Sequence, residues 1–102
     1  MKTIEEYKDL LNGDFKEMVV GKQGVEFDRA IIEFSQKNNL MMSHYDYYKG
    51  QAFFFTDRPS NNIGIILLEN FKGEPHYFVT RKDEVKRIVA MTNAVATCLG
   101  LC

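Results

Sequence analysis

The chain has 102 residues, with 13 Lys plus Arg against 14 Asp plus Glu, 45% apolar and 26% charged residues, and eight Phe, five Tyr and no Trp. That balance excludes a disordered chain, a basic field that would collect phosphates and an acidic field that would mimic them. It is long enough to bury one core without metal or disulfide help, so 1–102 reads as a single domain.

The opening Met1-Lys2-Thr3-Ile4-Glu5-Glu6 lacks the apolar core of a secretory signal, and no apolar run approaches a membrane span. The expectation is a cytoplasmic protein with no membrane partner. Thr3-Ile4-Glu5-Glu6 is a capping box, so a helix is expected to start there, to carry Ile4, Tyr7, Leu10 and Leu11, and to stop at Asn12-Gly13. Residues 14–24 fit either a second short helix or a strand that enters the turn Gly21-Lys22-Gln23-Gly24. From Val25 to Asn38, Phe27, Ala30, Ile31 and Phe34 fall on one face of an amphipathic helix.

Four strand-like runs follow: Leu40 to Tyr48, Gln51 to Asp57, Ile63 to Glu69 and His76 to Thr80. The third, Ile63-Gly64-Ile65-Ile66-Leu67-Leu68, is apolar at alternate positions of both parities, which predicts a central strand covered on both faces. Lys49-Gly50 and Lys72-Gly73 are hairpin signals, and Pro75 marks the fourth run as an edge. A final helix is expected from a cap at Thr80-Arg81-Lys82-Asp83. The fold class is therefore α+β, a four-stranded antiparallel meander flanked by N-terminal helices and a C-terminal helix, with Phe34, Phe54, Ile66, Leu68, Val79, Ile88 and Val95 in the core. In element order alone the chain resembles part of an acetyltransferase core, a family that presents acyl-CoA to a glycine-containing turn. Here that turn, Thr80 to Val85, has no glycine and sets Asp83 and Glu84 against the phosphates, so no acyl-CoA site and no cofactor is expected.

The last helix carries no Asp, Glu, Lys or Arg from Ile88 onward. Its neutral face, with Ala90, Ala94 and Thr97, predicts self-association as a homodimer. Cys98 and Cys102, one helical turn apart, are read as free thiols, since two thiols neither meet in disulfide geometry at that spacing nor close a zinc site. No metal site is expected.

Two acid–base pairings are open. With Lys49-Gly50 as a two-residue loop, His44 and Asp46 share a face with Phe53 and Phe55; with Lys72-Gly73 at a turn centre, Glu69 stands opposite His76. Either could serve a small enzyme or a small-molecule-binding domain; the first reads instead as a solvated structural histidine, and the second, with no nucleophile recognisable beside it, as an exposed cross-strand ion pair. The sheet aromatics Tyr45, Tyr47, Phe53, Phe54 and Phe55 raise a single-stranded nucleic-acid reading, against which stands Lys49 as the one cation between Met42 and Asp57. Tyrosines around a turn suit protein contact instead. The sequence therefore points to a non-enzymatic binding module that engages a protein partner through Tyr45, Tyr47, Tyr48, Lys49 and Arg58.

Overall fold

The computed structural model describes residues 1–47, 50–69 and 74–98, apart from the side chains of 92–98. It is built on one antiparallel sheet in the order β1-β2-β3-β4, with β1 at Met41–Tyr47, β2 at Gly50–Thr56, β3 at Ile63–Leu68 and β4 at His76–Arg81. Helices α1 (Ile4–Leu10), α2 (Lys16–Met18) and α3 (Gly24–Lys37) precede the sheet, and α4 (Lys82–Cys98) follows it, which is the expected α+β meander. Side chains alternate across a strand, so β3 sends Ile65 and Leu67 to one face and Ile66 and Leu68 to the other, all four buried. The first pair packs with Phe15, Phe34, Phe53 and Phe55 beneath α1 to α3, and the second with Tyr47, Ala52 and Phe54 beneath Val85 and Val89 of α4. Each such side chain contributes roughly 1.5–3 kcal/mol on leaving water, which keeps this segment at the centre. Of the expected core, Phe34, Phe54, Ile66 and Leu68 are buried and Val79 and Ile88 partly so. The Val95 side chain lies outside the described residues.

The capping box forms as expected: Thr3 Oγ1 accepts from the Glu6 amide at 3.2 Å, and Glu6 Oε1 accepts from the Thr3 amide at 3.1 Å. The helix does not stop at Asn12-Gly13. It continues through a π-helical turn at Leu11–Phe15 into α2. Tyr7, Leu11, Phe15 and Val19 are spaced by four and all buried. In an α-helix a spacing of four drifts about 40° per step. The wider turn takes back part of that drift and holds the four side chains over the sheet, and this burial outweighs the stop signal of glycine. Helix α3 ends on Asn39 at φ 55°, a left-handed residue after which the Leu40 amide donates to Ser35 O at 2.8 Å. Thr80 belongs to β4 rather than to a cap. The start of α4 is held from the β2–β3 connection instead, where Asn62 Oδ1 accepts from the Asp83 amide at 3.3 Å and Asn62 O from the Lys82 amide at 2.8 Å.

The two hairpin registers differ from expectation in different ways. In β1–β2, Tyr47 pairs with Gly50 and His44 with Phe53, two residues from the expected pairing. A shift of two leaves every side chain on its expected face, so burial does not distinguish the two registers. In β3–β4, Leu68 rather than Glu69 stands opposite His76. That single-residue difference exchanges the faces of β4. It places Tyr77 and Val79 with the first cluster, where the Tyr77 ring lies 4.9 Å from that of Phe15.

Candidate functional site

Among the described residues, Arg58 is not brought together with Tyr45 and Tyr47, its expected companions in partner binding. Arg58 follows the C-terminal end of β2 whereas Tyr47 faces its N-terminal residue, and a seven-residue strand separates the two ends by about 20 Å or more. Tyr47 is only 6% exposed, packed with Phe54, Ile66 and Val89. A surface-contact role for it does not fit, because its face of β1 is the one α4 covers. Tyr45 is partly buried against the same cluster. Tyr48, Lys49 and the expected turn at Lys72-Gly73 lie outside the described residues. Burial, followed by the charge of Glu69, pushes the Tyr47 phenol up to about 12, and among the described residues its hydroxyl has no hydrogen-bond partner. Tyr47→Phe is therefore expected to raise stability by about 1 kcal/mol, and Tyr47→Ala to lower it by about 3 kcal/mol, in urea unfolding.

The acid–base pairings are corrected in the same way. Leu68, not Glu69, stands opposite His76, so the expected cross-strand register between Glu69 and His76 is not the one formed. Glu69 instead borders a cleft with Gly21, Gln23, Phe27 and Pro75, where burial, followed by the charge of Asp28, raises its pKa. His44 Nε2 does lie 3.7 Å from Asp46 Oδ1, with side chains 46% and 90% exposed. That is a solvated pair, joined when the histidine is protonated, and the Phe53 ring packs 5.4 Å from the imidazole. Phe53, Phe54 and Phe55 are buried and offer no platform for bases. Of the expected self-association residues, Ala90 is exposed, while the side chains of Ala94 and Thr97, like those of Cys98 and Cys102, lie outside the described residues. Among the described residues no group of three or more His, Cys, Asp or Glu is placed to hold a metal ion, and no helix is long and apolar enough to cross a membrane.

What the structure does assemble is an open strand edge beside a cleft. The Glu69 amide donates to Gln51 O at 2.9 Å, so the odd-numbered residues of β3 turn their backbone toward β2. The Lys82 amide donates to Asn62 O at 2.8 Å, so the even-numbered ones turn toward β4. By the alternation of an antiparallel ladder, Tyr77, Val79 and Arg81 then direct their N–H and C=O groups away from the sheet. Among the described residues no strand covers them. Beside this edge lies a cleft of about 370 Å³ lined by Ile4, Lys8, Ile63, Val79, Thr80, Arg81 and Glu84. Phe78, on the α4 face of β4, is 40% exposed.

The wall of the cleft is held by a polar clamp between α1 and the β2–β3 connection. Tyr7 Oη donates to Asp57 Oδ1 at 2.8 Å and accepts from the Asp57 amide at 2.9 Å. Asn61 Nδ2 donates to Asp57 Oδ1 at 2.6 Å and to Lys2 O at 3.0 Å, and the Lys2 amide donates to Asp57 Oδ2 at 3.0 Å. Burial pushes the Asp57 carboxyl up, but the hydrogen bonds from Asn61, Tyr7 and the Lys2 amide outweigh it and hold the group at about 2, against an ordinary 3.8. The Met1 ammonium lies 4.0 Å from Asp57 Oδ2. Through these bonds Ile4 and Lys8 are set against the β4 side of the sheet.

No protein-family model, curated protein or solved structure matches this chain. The chemistry of the site therefore rests on its own geometry. Charges at the rim are balanced: Arg81 Nη2 lies 3.1 Å from Glu84 Oε1 and Arg81 Nε 3.6 Å from Asp83 Oδ1, while Lys8 Nζ lies 4.0 Å from Glu5 Oε1. The edge thus presents outward backbone groups and apolar side chains between charges that are already paired. Pro75 carried the signal of an edge strand in the sequence. The cleft carried none, because Ile4, Ile63 and Val79 come from three distant segments.

Proposed function

We propose that the protein is a non-enzymatic binding module that captures an extended segment of a protein partner along β4, as an added antiparallel strand. The observation that supports this reading is the row of outward N–H and C=O groups on Tyr77, Val79 and Arg81 next to the cleft formed by Ile4, Ile63 and Val79. Main-chain hydrogen bonds would supply affinity, and an apolar side chain placed beside Val79 would supply selectivity. Natural edges are usually blunted by charge or proline. Here Pro75 precedes β4 and Arg81 ends it, while Tyr77 to Thr80 between them carry no charge.

Selection from a random peptide library displayed on phage tests the reading. The selected peptides are expected to be extended and apolar at alternate positions. Val79→Pro removes an outward donor without touching a β3–β4 bond, and should weaken those peptides by about tenfold or more while the urea midpoint changes little. Undiminished binding to Val79→Pro, or selection of helical peptides, would overturn it.

A further inference from the structure

We infer that the opposite edge, β1, is a self-association surface whose occupant is a second copy of this chain, paired antiparallel about Tyr45. Two features meet there. The alternation that leaves Tyr77, Val79 and Arg81 open on β4 also turns the backbone groups of Met42, His44 and Asp46 away from β2. Among the described residues no strand covers them. The second feature is α4, which leaves β4 at Lys82 and packs across the sheet to β1, so that its later turns lie on the β1 side. From Ile88 to its end at Cys98 it carries no Asp, Glu, Lys or Arg, and within the stretch whose side chains are described Ala90 is exposed and Met91 is 59% exposed.

Self-complementarity selects the occupant. Hydrogen-bonded pairs between two copies must join residues that both turn their backbone outward, and a two-fold axis through Tyr45 meets that condition. It sets His44 directly opposite Asp46 of the second copy, twice, so the 3.7 Å pair within one strand gains equivalents between strands. A strand edge alone provides hydrogen bonds but little apolar area, whereas a stable dimer buries roughly 800 Å² per partner. The uncharged length of α4, brought beside its copy by the same axis, supplies that area. The product is an eight-stranded sheet with a β4 edge at each end, roughly 34 Å apart. On the reading of β4 given above, such a dimer is bivalent.

Sedimentation equilibrium of the full chain across the micromolar range is expected to return twice the 11.8 kDa of one chain. His44→Pro removes an outward donor and leaves the β1–β2 bonds in place, and Ala90→Glu charges an exposed helix position. Each should raise the dissociation constant by about tenfold or more. Tyr45→Cys, in a chain also carrying Cys98→Ser and Cys102→Ser, should form a covalent dimer on mild oxidation, because residues facing each other without hydrogen bonds lie about 4.5 Å apart at Cα. The cross-link decides the matter even where His44→Pro fails to fold. A mass of 11.8 kDa throughout, or a dimer that neither forms the Tyr45→Cys cross-link nor responds to His44→Pro, overturns the inference. Peptide capture on β4 by a monomer would survive that result, so the two edges are tested separately.

Discussion

Gly64→Ala is expected to destabilise the protein by about 3 kcal/mol or more, enough to unfold a large share of molecules of ordinary stability. Gly64 lies in β3 opposite Thr80, on the face that α4 covers. A Cβ there would stand 2.7 Å and 3.0 Å from ring carbons of Phe54 and would overlap the carbonyl oxygen of Phe55. An exposed ring would turn aside, but Phe54 is fully buried, and the carbonyl belongs to a strand paired on both sides. Relief therefore requires that β2 and β3 separate locally. Glycine inside a strand usually weakens it, and its presence here marks a close approach of a neighbouring backbone. Urea unfolding of Gly64→Ala, Phe54→Leu and the double variant measures this directly. The alanine should cost at least 1 kcal/mol less when Phe54 is already Leu, and strictly additive effects would show that the ring is not the obstacle.

Tyr7→Phe is expected to cost about 3 kcal/mol at neutral pH although the ring and its packing remain. The lost hydroxyl is the hub of the clamp. It donates to Asp57 Oδ1, accepts from the Asp57 amide, lies 3.3 Å from Asn61 Nδ2 and also 3.3 Å from Thr56 Oγ1. Burial raises the pKa of the phenol, which keeps it a donor to the carboxylate at neutral pH. Asp57 supplies the pH dependence. Its folded pKa of about 2 is below the ordinary 3.8, so the charged form is favoured by folding. The side chain is only 13% exposed, and the shift corresponds to about 2 kcal/mol. That contribution is fully present above about pH 4 and is lost as the pH falls toward about 2. In Tyr7→Phe the carboxyl loses one of its donors, so its folded pKa rises and less of this term remains at neutral pH. The difference in stability between parent and variant should narrow as the pH falls through that window. A constant difference down to the lowest pH would show that the hydroxyl acts without the carboxylate.

Features that depend on neighbours along the chain were legible without the fold. The Thr3–Glu6 box forms because both partners lie within four residues. Helix α3 follows from the spacing of Phe27, Ala30, Ile31 and Phe34, and the four strands follow from alternation between turn formers. The central place of Ile63 to Leu68 was equally legible, since apolar side chains on both faces require cover on both. Which residues face one another follows from packing between distant segments. A one-residue difference in β3–β4 put Leu68 rather than Glu69 opposite His76, because packing of Tyr77 on Phe15 favours one face and spacing in the sequence does not record it. Burial of Tyr47 depended on where α4 crosses the sheet, and continuation of the first helix past Gly13 depended on a surface for Phe15 and Val19. The Tyr7–Asp57–Asn61 clamp joins positions fifty or more residues apart with polar types that otherwise read as helix and turn. The cleft beside β4 likewise exists only once α1 lies against the sheet. Hydrogen bonds and close packing over such distances are properties of the folded arrangement, and local pattern carries no trace of them.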